Sequence, residues 1–293
     1  MKFYQFIILL RPYHWLKNLL IFVPIITAHK FQINLLVDGL VAFFLFSFVA
    51  SSGYILNDIA DKNFDSNHFF KKNRPIASGS IAVNHAKIFM FLLLVISLVY
   101  AYKFDANFFL SLLIYFIFTS TYSFYFKKIV LLDIIILAML YSFRIVSGSI
   151  ALEIPLSFWL IIFSLFFFLS LACIKRLSEI IAHEDAKDKK LDGRGYLISD
   201  KDLITQISLI SGFISALVIL LYLRSDEIKV LYENVNYLYF LSVIVIYWIS
   251  RINLKAIRGE VHFDPLLFAI QDKVSLGCLI LMLGLASLAA NPL

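Results

Sequence analysis

Residues 39–65 read G-L-V-A-F-F-L-F-S-F-V-A-S-S-G-Y-I-L-N-D-I-A-D-K-N-F-D. From Gly39 to Leu56 there is no charge, and the run then breaks into one amide and three carboxylates, Asn57, Asp58, Asp61 and Asp65. An apolar stretch approaching 20 residues suits the hydrocarbon thickness of a bilayer. Acids gathered at its end suit a span whose working chemistry sits where the helix meets water.

The rest of the chain agrees with that reading. Hydrophobic residues make up 61% of the 293 and charged residues 16%, against about 45–50% and about 25% in soluble domains. A water-soluble fold could not hide so much apolar surface, and a nucleic-acid partner is not expected. We read the fold class as all-α, a polytopic membrane protein. Spans are expected near 18–37, 39–56, 86–103, 106–124, 131–150, 156–174, 203–223, 235–251 and 274–291, which makes nine transmembrane helices in one domain over 1–293. The opening residues 1–12 have too short an apolar core and no small-residue cleavage site for a signal peptide, and are read as an amphipathic lead-in that stays on the mature protein. Cys173 and Cys278 lie in separate apolar runs and read as buried small hydrophobes, not as a disulfide or metal pair.

Orientation follows from the cations. With the N-terminus inside, the outer side carries only Lys30, Lys103, Arg224 and Lys229 of the 26 Lys and Arg residues, and Arg144 lies within the fifth span. Such a bias predicts a multi-pass protein of the cell (inner) membrane with its N-terminus and long polar loops cytoplasmic and its C-terminus outside.

At about 100° per residue, Asn57, Asp61, Asp65 and Asp58 fall on one helical face. Like charges at this spacing repel, so the arrangement belongs in water or around a cation. Oxygen ligands without His or Cys suit Mg²⁺, which keeps waters and is completed by phosphate oxygens. Lys71, Lys72 and Arg74 follow at once and could hold the rest of a polyanion. A solvated loop of mixed charge is the plainer alternative, but it leaves the shared face unexplained. Arg144, costly inside a span, is a functional suspect by default; lipid-phosphate binding and a structural role through an ion pair or hydrogen bonds both stay open, with the structural one favoured. The six histidines are scattered, and no pair suggests a general base.

The pattern Asn57-Asp58-x-x-Asp61-x-x-x-Asp65 resembles the first aspartate-rich motif of the UbiA superfamily of intramembrane prenyltransferases. R-P-Y-H-W-L-K-N at 11–18, R-P-I-A-S-G at 74–79, Y-S-F-Y-F-K at 122–127, K-R-L-S-E at 175–179 and D-P-L-L-F-A-I-Q-D-K at 264–273 are similar to the decaprenyl-phosphate phosphoribosyltransferase branch. The resemblance implies a nine-helix bundle with a central cavity opening to the cytoplasm. It also implies a Mg²⁺-dependent transferase that moves phosphoribosyl from 5-phosphoribosyl 1-diphosphate to a polyprenyl phosphate. On that resemblance Asp58, Asp61 and Asp65 are the metal and catalytic residues. Lys17, Asn57, Lys71, Lys72, Arg74, Tyr122, Lys127, Lys175, Arg176 and Glu179 are the substrate-binding candidates.

The chain departs from ordinary prenyltransferases after the sixth span. Where those resemble one another in a second acidic motif, this chain begins with Lys175, Arg176 and Glu179, expected on one helical face. Asp185, Asp188 and Asp192 follow among lysines and read either as a second metal site or as a solvated, ion-paired helix. The alternative function is transfer of a prenyl group from a prenyl diphosphate to an aromatic or other small acceptor, and a transporter or silent scaffold is the third reading. Lipid chain length, the number of metal ions and oligomeric state are not legible; a homo-oligomer is left open.

Overall fold

Apolar runs interrupted by short polar loops fold, in the computed structural model, into helices joined by turns. The structure describes residues 2–67, 71–183, 191, 194–261 and 264–290. Among them there is no strand, only an isolated bridge between Tyr232 and Ala290. The helices are α1 (Lys2–Leu10), α2 (Val23–Thr27), α3 (Ile33–Ala60), α4 (Lys62–Asn67), α5 (Val83–Phe104), α6 (Ala106–Phe124), α7 (Leu132–Ala151), α8 (Phe158–Ala182), α9 (Lys201–Tyr222), α10 (Ile228–Leu231), α11 (Tyr239–Ile257), α12 (Pro265–Gln271) and α13 (Lys273–Ala289). A 3₁₀ helix, Pro12–Phe22, links α1 to α2.

Among the described residues, seven helices are long and apolar enough to cross a membrane. Two bent pairs, Tyr4–Leu10 with Pro12–Thr27 and Pro265–Gln271 with Lys273–Ala289, raise the number to nine if each pair crosses as one span. The chain is therefore a multi-pass membrane protein. The expected span at 18–37 is not one helix: α2 ends at Thr27, and Ile33 already opens α3. A long hydropathy window averages over this break, because polar His29, Lys30 and Gln32 are flanked by apolar runs on both sides. Within the lead-in at 1–12, Tyr4–Leu10 forms the first limb of a bent pair with Pro12–Thr27.

By contacts the chain parts into two compact units. Unit 1 comprises 1–126 and 143–155, and unit 2 comprises 127–142 and 156–293; α7 contributes its first half to unit 2 and its second half to unit 1. In unit 1, α3 packs against α5 and α6, and the 3₁₀ helix lies along α3. Gly148 on α7 meets that 3₁₀ helix so closely that a Cβ would stand 2.3 Å from the Ile21 carbonyl oxygen, so only glycine permits the approach. In unit 2, α8, α9 and α11 pack together, with Cys173 buried on α8. Cys173 and Cys278 are both free thiols.

The length of α3 positions the acids. Its 28 residues rise about 42 Å, against a hydrocarbon core about 30 Å thick, so an upright α3 is longer than the lipid it crosses and its polar last turns suit the water side. Asn57 and Asp58 are on those turns.

Candidate functional site

Asp61 ends α3, and α4 resumes at Lys62. The helical register survives this joint, because Asp61 N–H donates to the Asn57 carbonyl at 2.9 Å and Asp65 N–H to the Asp61 carbonyl at 2.8 Å. The shared face read from the sequence is thus kept across two helices. Asp58 and Asp65 point inward, 3% and 1% exposed, while Asp61 is half-buried and accepts from Asn57 Nδ2 at 3.1 Å.

Arginines fill the space between the inward acids. Arg74 Nη1 donates to Asp58 Oδ1 at 3.0 Å and to Asp65 Oδ2 at 2.6 Å, and Arg11 Nη2 donates to the same Asp58 oxygen at 2.5 Å. The R-P-I-A-S-G turn holds Arg74 there. Ile76 is buried against Leu9, Ile55 and Ile81, and Gly79 takes a φ of +74°, the left-handed region that glycine enters without cost. Arg11 is itself left-handed, φ 52° and ψ 58°, although a residue before proline prefers extended backbone. A non-glycine residue in that region costs about 1–2 kcal/mol, which its ion pair with Asp58 helps to offset.

Three carboxylates gathered on one ion are not what the structure displays: among the described residues no three His, Cys, Asp or Glu side chains are grouped closely enough to hold a metal. The Arg74 guanidinium bridges Asp58 and Asp65 instead, and Arg11 meets Asp58. Even so, the donor set fits Mg²⁺. Asp65 Oδ1 is buried with no hydrogen-bond partner, an orphaned hard oxygen of the kind that costs free energy unless something binds it, and Mg²⁺ commonly takes only one or two carboxylates and completes itself with phosphate and water. Lys72 lies exposed in the turn Lys71–Asn73, and Lys17 is buried in the 3₁₀ helix.

Arg144 belongs to unit 1 as well. Its Nε donates to Asn18 Oδ1 at 2.9 Å and its Nη2 to the Tyr115 hydroxyl at 2.8 Å, with the guanidinium over the Phe46 and Tyr115 rings. Interior hydrogen bonds, one of the two structural roles weighed for it, account for this placement. Tyr122 is half-buried near the end of α6.

In unit 2 the expected face of Lys175, Arg176 and Glu179 divides. Arg176 is fully buried and donates to Asp133 Oδ2 and to Glu179. Arg194 adds contacts of 3.6 Å to Asp133 and 3.2 Å to Glu179. The Tyr196 hydroxyl donates to the other Asp133 oxygen and accepts from Leu131 N–H at 2.9 Å. Burial, then the bond to the Asp133 carboxylate, pushes the Tyr196 hydroxyl well above the usual phenol range. Lys175 turns elsewhere: its Nζ lies 3.6 Å from Asp264 Oδ2, and its side chain is 26% exposed. Lys127 is half-buried in the turn Phe126–Lys128. Asp185, Asp188 and Asp192 lie outside the described residues.

Sequence reasoning left out Arg11, Asp133, Tyr141, Arg194, Tyr196 and Asp264 as candidate site residues. Asp133 offered a signal, an acid at the start of an apolar run, but its partners lie at least 43 positions away in sequence and no periodicity connects them.

A multi-pass helical membrane protein with its acids and cations gathered at helix ends is the class that fold and site define. The chain belongs to the UbiA prenyltransferase family, whose model matches residues 19–256. It is 35% identical over 268 residues to the protein y4nM of Sinorhizobium fredii, covering 91% of this chain and 52% of that one, so the chain spans about half the length of this relative. It is 33% identical over 281 residues to nodulation protein NoeC of Azorhizobium caulinodans, covering 95% and 91% of the two chains. Decaprenyl-phosphate phosphoribosyltransferase of Mycolicibacterium smegmatis is 34% identical over 175 residues, 58% of this chain and 55% of that one. Among solved structures, a UbiA homolog from Archaeoglobus fulgidus bound to GPP and Mg²⁺ shares the fold, with a TM-score of 0.69 over 98% of this chain and 100% of that one at 19% identity.

Proposed function

We propose that the protein transfers a 5-phosphoribosyl group from 5-phosphoribosyl 1-diphosphate to a polyprenyl phosphate in a Mg²⁺-dependent reaction, releasing pyrophosphate and giving a polyprenylphosphoryl-5-phosphoribose. The observation that carries this reading is the end of α8. There the chain presents Lys175 and withdraws Arg176 onto Asp133, where a second metal would call for acids. A donor with a diphosphate and a separate 5-phosphate, joined by a lipid phosphate, needs cations beyond those that serve one diphosphate. The likeness to the mycobacterial-type phosphoribosyltransferase supports the same choice.

Asp58 and Asp65 would hold Mg²⁺, with Asp61 next to them on the same face. When bound, the ion supplies charge neutralisation for the departing diphosphate. The chain's own part is positioning. Arg11 and Arg74 keep the two carboxylates in register, and Lys72 and Arg74 lie where phosphate oxygens can be gripped. An oxygen of the lipid phosphate forms the new bond to C1 of the ribose as the bond from C1 to the diphosphate oxygen breaks, its electron pair leaving with pyrophosphate. A phosphate nucleophile already carries negative charge at neutral pH, so no side chain has to remove a proton. With the cations distributed as they are, the N-terminus and this site face the cytoplasm, and both bent helix pairs cross as spans within a single nine-span domain.

The second reading is transfer of a prenyl group to a small acceptor, favoured by the family's name and by the GPP held in the Archaeoglobus homolog. Membranes containing the protein, incubated with radiolabelled 5-phosphoribosyl 1-diphosphate, Mg²⁺ and a polyprenyl phosphate and then extracted with organic solvent, separate the two. Label moving into the organic phase is the expected result. Label staying in water for every lipid tested removes the first reading.

A further inference from the structure

Asp264 sits where a buried carboxylate should be costly, yet three groups from separate parts of unit 2 converge on it. The Tyr141 hydroxyl of α7 donates to Oδ2 at 2.6 Å, Lys175 of α8 approaches the same oxygen at 3.6 Å, and Leu266 N–H donates to Oδ1 at 3.2 Å as Asp264 caps α12. Asp264 is 6% exposed, Tyr141 is buried, and the Lys175 side chain is 26% exposed. A carboxylate with its second oxygen given to a helix cap cannot swing, so the side of the ammonium that meets it is set by α7 and α12 together. The rest of the ammonium stays open, since an Nζ has three donors and Asp264 Oδ2 takes at most one. Arg176, one residue on, also meets an acid, but it is fully buried on Asp133.

We propose that Lys175 is the cation of this region that contacts a substrate phosphate, and that Asp264 and Tyr141 are its positioning residues, while Arg176 takes no part in binding. This rests on the reading that the site handles phosphorylated substrates, and it deepens that reading by dividing the Lys175–Arg176 pair. The ligand chemistry is a phosphate oxyanion, available either from the soluble donor or from the lipid acceptor.

The test uses the full chain in lipid nanodiscs. A water-soluble acetylating reagent is applied briefly, and modification of Lys175 is read by mass spectrometry across two titrations, one of inorganic pyrophosphate with Mg²⁺ and one of a polyprenyl phosphate in the bilayer. One anion is expected to protect Lys175, which names the source of the phosphate. The protecting concentration is expected to rise about tenfold in Asp264→Asn and about threefold in Tyr141→Phe. Asparagine caps a helix as well as aspartate, so α12 should survive, while an NH2 in place of Oδ2 removes the acceptor that Tyr141 and Lys175 share. Unaltered modification in the presence of both anions overturns the proposal, as does an identical protecting concentration in Asp264→Asn. Should Asp264→Asn fail to fold, Tyr141→Phe decides in the same way. Pyrophosphate is released by prenyl and phosphoribosyl transfer alike. Protection that depends on Asp264 without label reaching any lipid would therefore uphold the role of Lys175 and remove only the phosphoribosyl reading.

Discussion

Two clusters in this molecule are built from the same parts. In unit 1, Asp58 and Asp65 meet Arg11 and Arg74; in unit 2, Asp133 and Glu179 meet Arg176 and Arg194. What separates them is access and completeness. The Arg74 side chain is 27% exposed and Asp65 keeps a buried oxygen with no partner, whereas Asp133 and Arg176 have no exposure and both Asp133 oxygens are taken. A pair shut off from water, with both carboxylate oxygens taken, is built to hold the fold, even though Arg176 Nε stays without a partner. One that leaves a hard oxygen over and a guanidinium within reach of water can exchange partners with a ligand.

The sharpest way to break this contrast is Asp133→Ala, which leaves a buried Arg176 without its main counter-charge. Removing one member of a buried pair costs about 3–5 kcal/mol, so the expected outcome is a large fall in yield of monodisperse protein and in unfolding midpoint. An Asp133→Ala protein that unfolds like wild type and loses only turnover would place the catalytic cluster in unit 2.

Asp65→Asn tests the other side. Arg74 still has Asp58, so stability should stay near wild type, while Mg²⁺-dependent turnover should drop about 100-fold, the scale seen when one charge-stabilising group is removed. Measured together, unfolding midpoint and turnover must move apart; a parallel fall would make the unit 1 cluster structural too. Tyr196→Phe sharpens the unit 2 assignment at lower cost. It strips a donor from Asp133 and an acceptor from Leu131 N–H, for an expected loss of about 1–2 kcal/mol read from thermal unfolding, with apparent affinity for the soluble donor unaltered. Arg74→Gln is the remaining test. It leaves the buried Asp65 carboxylate without the Arg74 guanidinium, so the unfolding midpoint should fall, and in the protein that still folds the apparent KM for the soluble donor should rise several-fold. An unchanged KM would remove Arg74 from the binding residues.

Legibility followed the range of the interactions. The apolar runs, the acids on one face at the end of α3 and the cations after them were all readable, because helix periodicity is local and the repeat survives even the joint at Asp61. The first span was misplaced, since hydropathy averages over the short break at 28–32 that sets α2 apart from α3. Lys175, Arg176 and Glu179 were read as one face because the helix angles allow it. They diverge because Arg176 finds Asp133 and Lys175 finds Asp264, partners that lie 43 and 89 positions away in sequence.

By itself, then, the sequence determined that this chain spans a membrane as a helical protein with acids and cations gathered at a helix end. Those traits rest on composition and on spacing within a turn or two of helix, which any folded form must respect. Only the tertiary structure decided which charges are committed to one another and which stay available. Burial and pairing depend on residues far apart in the chain, and a cation locked against an acid in the interior is shut off from water and from whatever water carries.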